Sequence, residues 1–204
     1  MQSERMIARH ERPIHTPWGV ADHARDYAEG ITFYRTPSHG GFKLSPERLK
    51  QMPPALRGKS SWFEEDCEWA KVAFAFPETF PEKHRESAIR TLKEWYPDEY
   101  EAVTGETLVA GQSHIKDERL FHERHVNDWI VISAISSDQH PCMVECIATI
   151  GGTRGEWSKP EPEQRRYLVP DSEYAQRSKF GFVIDPACHA RYDGPSSFVT
   201  WRAK

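Results

Sequence analysis

Residues 60–70, Ser-Ser-Trp-Phe-Glu-Glu-Asp-Cys-Glu-Trp-Ala, place four acids, a thiol and two tryptophans within little more than two helical turns. A cysteine near a helix N-terminus has its thiolate favoured by the dipole and the free amides. On that reading Cys67 is a nucleophile, His39 its base, and Asp66 or Glu65 the acid that orients the imidazole. The opposing reading needs no catalysis. Acids in a first helical turn satisfy the dipole, and a lone thiol packs as a small apolar side chain. Three adjacent carboxylates also repel a thiolate, so the structural reading of this run outweighs the catalytic one.

The second dense element is Thr36-Pro37-Ser38-His39-Gly40-Gly41. Two glycines let a backbone approach a ligand or take positive φ, and the amides of such a loop can form an oxyanion hole or an anion nest. The same residues also suit a strand-ending turn in which His39 caps a carbonyl. His39, Gly40 and Gly41 are the strongest site candidate in the chain, and a metal held by His39 and an acid is a further form of the enzyme reading. Other sets rank lower. Glu118, His122 and His125 fall on one helix face, and His140, Cys142, Cys146, Cys188 and His189 invite a zinc reading. However, the first set lies in a short connector and the second lacks the Cys-x2-Cys knuckle. No metal or cofactor is expected from them. The chain contains no Walker loop, no Rossmann glycine pattern and no Gly-x-Ser-x-Gly elbow, which argues against nucleotide hydrolysis, dinucleotide redox chemistry and ordinary esterase activity.

The elements that must position these residues follow from period and punctuation. Residues 1–15 show neither helical nor strand periodicity and read as a flexible arm ahead of a single α+β domain over 16–204, with lobes at 16–105 and 106–204. An N-terminal β-hairpin turns at Gly30 into the β-branched and aromatic run 31–36. Ser45 as N-cap and Pro46 at the first position open a short helix that Met52-Pro53-Pro54 ends. Ser61 and Glu64 fit a capping box for a helix over 61–76, greasy on several faces and therefore buried. A second box, Thr79 to Glu82, opens a helix whose stripe is Ala88, Ile89, Leu92, Trp95 and Tyr96, with a further turn or two over 97–105. Residues 129–136 and 143–150 are strand-like and should pair antiparallel; further strands are expected at 165–169, 180–185 and 198–202, with a short helix at 171–177. No βαβ crossover appears. The fold class is α+β, with a mainly antiparallel sheet from the C-terminal half packed with helices from residues 45–105.

Composition bounds the function. With 204 residues, seven Trp, ten Phe and seven Tyr, the chain has ample material for a core and needs no disulfide framework for its four cysteines. No apolar run approaches the ~20 residues of a membrane span, and the first residues lack the apolar centre of a secretory signal. A cytoplasmic protein is expected. The net charge of −4 is uneven: residues 1–60 carry +4, 61–102 carry −6 and 103–204 carry −2. No segment has the concentrated positive charge that phosphates attract, so direct sequence-specific DNA binding is not expected.

Four motifs together carry a resemblance: Thr16-Pro17-Trp18-Gly19, Thr36-Pro37-Ser38-His39-Gly40-Gly41, the run Trp62-Phe63-Glu64-Glu65-Asp66-Cys67-Glu68-Trp69-Ala70, and Gly181-Phe182-Val183-Ile184-Asp185-Pro186. From about Thr16 to Asp193 the chain resembles an uncharacterised domain family of bacteriophages, plasmids and other mobile elements of proteobacteria. No activity is assigned to that family, so the resemblance implies a context and no mechanism. Two function classes stand side by side. The first is an accessory factor that docks on a host protein or nucleoprotein, such as an anti-restriction or anti-CRISPR target, and blocks it. Its binding residues would be Trp18, His39, Gly40, Gly41, Glu65, Glu94 and Glu99, since acidic faces meet basic partners and aromatics anchor interfaces. The second is a hydrolase using His39, Asp66 and Cys67, or a metal.

Overall fold

A computed structural model describes residues 4–6, 13–156 and 158–198 of the chain. The chain divides into two compact units, Met1–Asp117 and Glu118–Lys204.

The first unit is built on a five-stranded antiparallel sheet. Its strands are β1 (Glu4–Met6), β4 (His23–Ala28), β5 (Ile31–Arg35), β6 (Gly40–Leu44) and β7 (Trp62–Glu64), hydrogen-bonded in the order β1-β4-β5-β6-β7. Two short strands, β2 (His15–Thr16) and β3 (Gly19–Val20), form a separate hairpin. Part of the expected N-terminal arm therefore enters the sheet, through the backbone of β1 on β4; residues 1–3 and 7–12 lie outside the described residues. Gly30, at φ +74°, makes the expected turn between β4 and β5.

The helices of this unit are α1 (Pro46–Gln51), α2 (Trp69–Ala75), α3 (Glu82–Trp95) and α4 (Pro97–Thr104). For α1 the sequence grammar holds: Ser45 Oγ accepts from Arg48 N at 3.3 Å and Pro46 occupies the first turn. For α2 it does not. Residues 62–64 form a strand, residues 65–68 turn, and the helix begins only at Trp69. The predicted capping box of Ser61 and Glu64 is absent because long-range pairing with β6 takes that backbone; Leu44 N, for instance, donates to Ser61 O. The remaining helix is nonetheless buried at Ala70, Val72 and Ala73, as its apolar character requires, and Lys71 is buried between them. The box of Thr79 and Glu82 is absent too: α3 starts after Pro81 without a side-chain cap, and Thr79 donates to Phe76 O. Of the α3 stripe, Ala88 and Leu92 are fully buried while Ile89 and Trp95 are 39% and 44% exposed. Gly105 closes α4 in the left-handed conformation. The core joins Phe42, Leu44 and Phe63 of the sheet to Ala70, Val72, Ala73 and Leu92 of the helices.

Helix α5 (His114–Arg124) leads into the second unit, a three-stranded antiparallel sheet in the order β10-β9-β8. Strands β8 (Trp129–Ser136) and β9 (Met143–Ile150) occupy the predicted residues, and β10 (Arg165–Pro170) follows closely. A four-residue helix, α6 (Asp171–Tyr174), is shorter than the 171–177 expected. The segment 180–185 forms only isolated bridges, Ile130 to Val183 and Ser178 to Gly181, rather than a full strand. The expected strand at 198–202 lies outside the described residues beyond Phe198. Trp129, Cys146, Tyr167, Val169 and Ile184 are among the residues of this unit's core. The class is α+β with antiparallel sheets, but the larger sheet is the N-terminal one. Among the described residues no helix is long and apolar enough to cross a membrane.

Candidate functional site

His39 sits in the four-residue connection between β5 and β6, whose flanking pair is Arg35 and Gly40. Thr36, only 2% exposed, holds that connection closed. Its amide and its hydroxyl both donate to His39 O, at 2.7 and 2.8 Å, and the hydroxyl accepts from His39 N at 3.0 Å. The imidazole is left about half exposed at the end of β6.

The register of β6 on β7 then brings up the acids. Gly41 faces Glu64, and Glu65 N donates to Gly40 O at 3.1 Å. Glu64 folds its carboxylate over the following turn, where Oε2 accepts from Asp66 N at 2.8 Å and from Cys67 N at 3.3 Å. Its other oxygen, Oε1, is buried, has no hydrogen-bond partner, and lies 3.8 Å from His39 Nδ1. Glu65 Oε1 lies at the same 3.8 Å distance from that nitrogen. One ligand atom each from His39, Glu64 and Asp66 falls within 4.8 Å of the others, and among the described residues this is the one group of three or more such side chains that assembles.

Such a set suits a divalent ion. Carboxylates and an imidazole together serve zinc and manganese, and tetrahedral ligands at about 2.0–2.1 Å from zinc stand about 3.3 Å apart. The 3.8 Å separation of His39 and Glu64 is thus a little wider than a filled site, within reach of small side-chain rotations. A buried carboxylate oxygen without a hydrogen bond is costly, and a cation between Oε1 and the imidazole would satisfy it.

Cys67 belongs to the same turn but not to the same chemistry. Burial raises its thiol pKa, and Glu64, Asp66 and Glu68 raise it further, so the thiol is held protonated. Of the trio His39, Asp66 and Cys67 the fold brings the first two together and places beside them Glu64, which the sequence reading had assigned to helix capping. A signal for Glu64 exists in the sequence: Trp62-Phe63-Glu64 is aromatic and strand-like, and a strand there points alternate residues to opposite faces.

The glycines serve packing rather than an anion nest. Neither Gly40 nor Gly41 is among the glycines with positive φ. A Cβ on Gly40 would come within 2.6 Å of both Glu65 Oε2 and Phe33 Cζ, and one on Gly41 within 2.2 Å of the Trp18 ring. The Thr16-Pro17-Trp18-Gly19 hairpin, closed by Thr16 Oγ1 donating to Gly19 O, lays that ring onto β6, edge-on to Trp62. Trp18 is half-buried in this arrangement.

The other candidates are distributed elsewhere. Glu94 accepts from His114 N, and Glu99 pairs with the buried Lys71 at 3.3 Å. Glu101 likewise binds Lys116 and Leu108 N, so part of the acidic charge over 61–102 is taken up inside the unit. His125 pairs with Asp128, and His122 meets Phe121 edge-on. Buried His189 accepts from Asp185 N through Nδ1, so Nε2 carries the proton toward Glu173. Cys142 and Cys188 are exposed and Cys146 is buried, its thiol pushed up to about 12 by burial and by Glu145.

Residues 11–126 match the family described as a domain of unknown function (DUF7007), and the chain belongs to that family. No curated protein and no solved structure gives a significant match. The matched region contains His39, Glu64, Glu65 and Asp66 and ends before β8.

Proposed function

We propose that this DUF7007 member is a metal-assisted hydrolase that holds a divalent ion of the zinc or manganese type on His39, Glu64 and Asp66. The observation that carries the reading is the buried Glu64 Oε1, which has no hydrogen bond and faces the imidazole across 3.8 Å. A divalent ion there would lower the pKa of a bound water and polarise a carbonyl or phosphoryl oxygen. Glu65, 35% exposed and on the same side of His39, is placed to accept the proton released. The resemblance of the motifs to mobile-element domains supports an accessory role in a bacterial host cytoplasm.

The test is isothermal titration of the chelator-treated chain with Zn²⁺ and Mn²⁺, alongside His39→Ala, Glu64→Gln and Asp66→Asn. The expected result is one site in the parent chain, weakened at least tenfold in each variant, and ion-dependent turnover of a carboxyl-ester or phosphodiester reporter that Asp66→Asn loses. Equal binding by all four proteins removes the metal centre. Site-dependent binding without turnover of either reporter removes the hydrolase.

A second reading, docking on and blocking a host macromolecule such as a defence complex, is favoured by one observation. Ile89 and Trp95 stand exposed on α3, next to the acids of that helix. Ile89→Asp with Trp95→Ser should abolish capture of the partner from a host lysate; capture that survives both changes counts against α3 as the docking element.

A further inference from the structure

Among the described residues, strand β8 is the edge of the C-terminal sheet, and its outer side is only half covered. Val131 N donates to Phe182 O at 2.9 Å and Ile184 N to Trp129 O at 2.8 Å, so residues 182–184 guard the strand up to Val131. A register shift between Val131 and Ser133 marks the end of that cover. Beyond it, Ser137 N donates inward to Met143 O. The antiparallel alternation then aims the backbone groups of Ala134 and Ser136 outward, away from β9. Ser133, Ile135 and Ser136 are exposed.

A groove of about 620 Å³ runs along this open stretch, lined by β8 residues, Val144, Arg154, Tyr174 and residues 177–182. Arg154, Arg177 and Lys179 contribute to its wall, and no Asp or Glu does. Arg154 already donates to an edge carbonyl, Ile132 O, at 2.9 Å, while the Arg177 guanidinium lies over the Tyr174 ring. We infer that the β8 edge over Ile132–Ser136 takes up an extended, Asp/Glu-rich peptide segment of a partner protein as an added strand. Main-chain groups of Ala134 and Ser136 would pair with it, and Arg154 and Arg177 would select its acids. Five residues of strand offer about 16 Å of edge, enough for a segment of similar length. A second copy of this edge fits less well, because Ile-Val-Ile-Ser-Ala-Ile-Ser brings no acid to the cations. The inference does not depend on the His39 centre, which lies in the other unit.

The experiment is fluorescence polarisation on the full chain with a labelled ten-residue peptide alternating aspartate and valine. Three comparison probes are the same peptide with lysine for aspartate, the acidic peptide N-methylated at alternate residues, and a fifteen-nucleotide oligothymidylate. The acidic peptide should bind, at least tenfold more tightly than the lysine and N-methylated versions. Arg154→Glu with Arg177→Glu should weaken it at least tenfold, with an unchanged circular dichroism spectrum. The inference is overturned if the acidic peptide does not bind, or if N-methylation leaves its affinity unchanged, since strand pairing is then absent. It is equally overturned if the charge reversals do not matter, or if the oligonucleotide binds more tightly through the same arginines.

Discussion

Replacing Gly41 by alanine tests the packing that holds the His39 centre together. The added Cβ would stand 2.2 and 2.5 Å from Trp18 Cη2 and Cζ3, and 2.6 Å from Phe63 O. Carbon atoms rest about 3.5–4.0 Å apart, so the indole must withdraw by more than about 1 Å, and Phe63 O belongs to the backbone of the paired strand. Expelling the ring forfeits its edge-on contact with Trp62, a kind of pair worth about 0.5–1.5 kcal/mol. Strain against β7 adds about 1–3 kcal/mol, the usual range for overpacking. A loss of roughly 2–4 kcal/mol corresponds to a fall in Tm of about 5–15 °C for a chain of this size, readable by scanning calorimetry. Trp18→Ala separates the two contributions. In that background Gly41→Ala should cost less, by at least about 1 kcal/mol, because only the clash with Phe63 O remains; coupling of this order is usual for residues in contact. A Tm within about 1 °C of the parent, or full additivity of the two substitutions, would refute the close approach of Trp18 to β6.

Two further expectations concern the second unit. Glu145 is fully buried; burial alone would raise its pKa, but hydrogen bonds from Arg166, Ser197 and Ser196 outweigh this and leave it lowered. A lowered carboxyl contributes stability above its unfolded pKa of about 4.3 and loses it as pH falls through the folded value. Urea midpoints should therefore decline in acid more steeply for the parent than for Glu145→Gln, which should itself be destabilised by up to about 3 kcal/mol at neutral pH; parallel pH profiles would contradict this. Iodoacetamide at pH 8 should label exposed Cys142 while sparing Cys146 until the chain is unfolded, and equal rates for the two in the native chain would show that Cys146 is not enclosed.

The parts of the fold that could be read ahead of the structure are those governed by neighbours in sequence. Strands β8 and β9 were legible because two eight-residue runs of β-branched and apolar residues are punctuated by turn residues and Gly151-Gly152. Helix α1 was legible because Ser45 and Pro46 carry their own instructions. Residues 61–68 misled because Ser61 and Glu64 have capping-box spacing, while the deciding interaction, pairing with Gly41–Lys43, reaches across some twenty residues of chain. Glu64 does cap two amides, but those of Asp66 and Cys67, which follow it. His39 was identifiable by residue type and glycine context. Asp66 and Glu65 were named with it, whereas Glu64 was hidden by its capping-box spacing, since only the β6–β7 register sets it beside the imidazole.

The Thr36 clamp has a consequence for ligand recognition. With three hydrogen bonds fixing the main chain at His39, only the two side-chain torsions of the imidazole remain to be frozen when something coordinates there. The entropic toll of organising a loop, about 1–2 kcal/mol for each residue ordered, has been settled during folding. On the proposed metal reading Thr36 would set affinity through the loop: a valine there keeps the shape and the main-chain bond, removes the two hydroxyl bonds, and would let an entering ion meet a looser histidine.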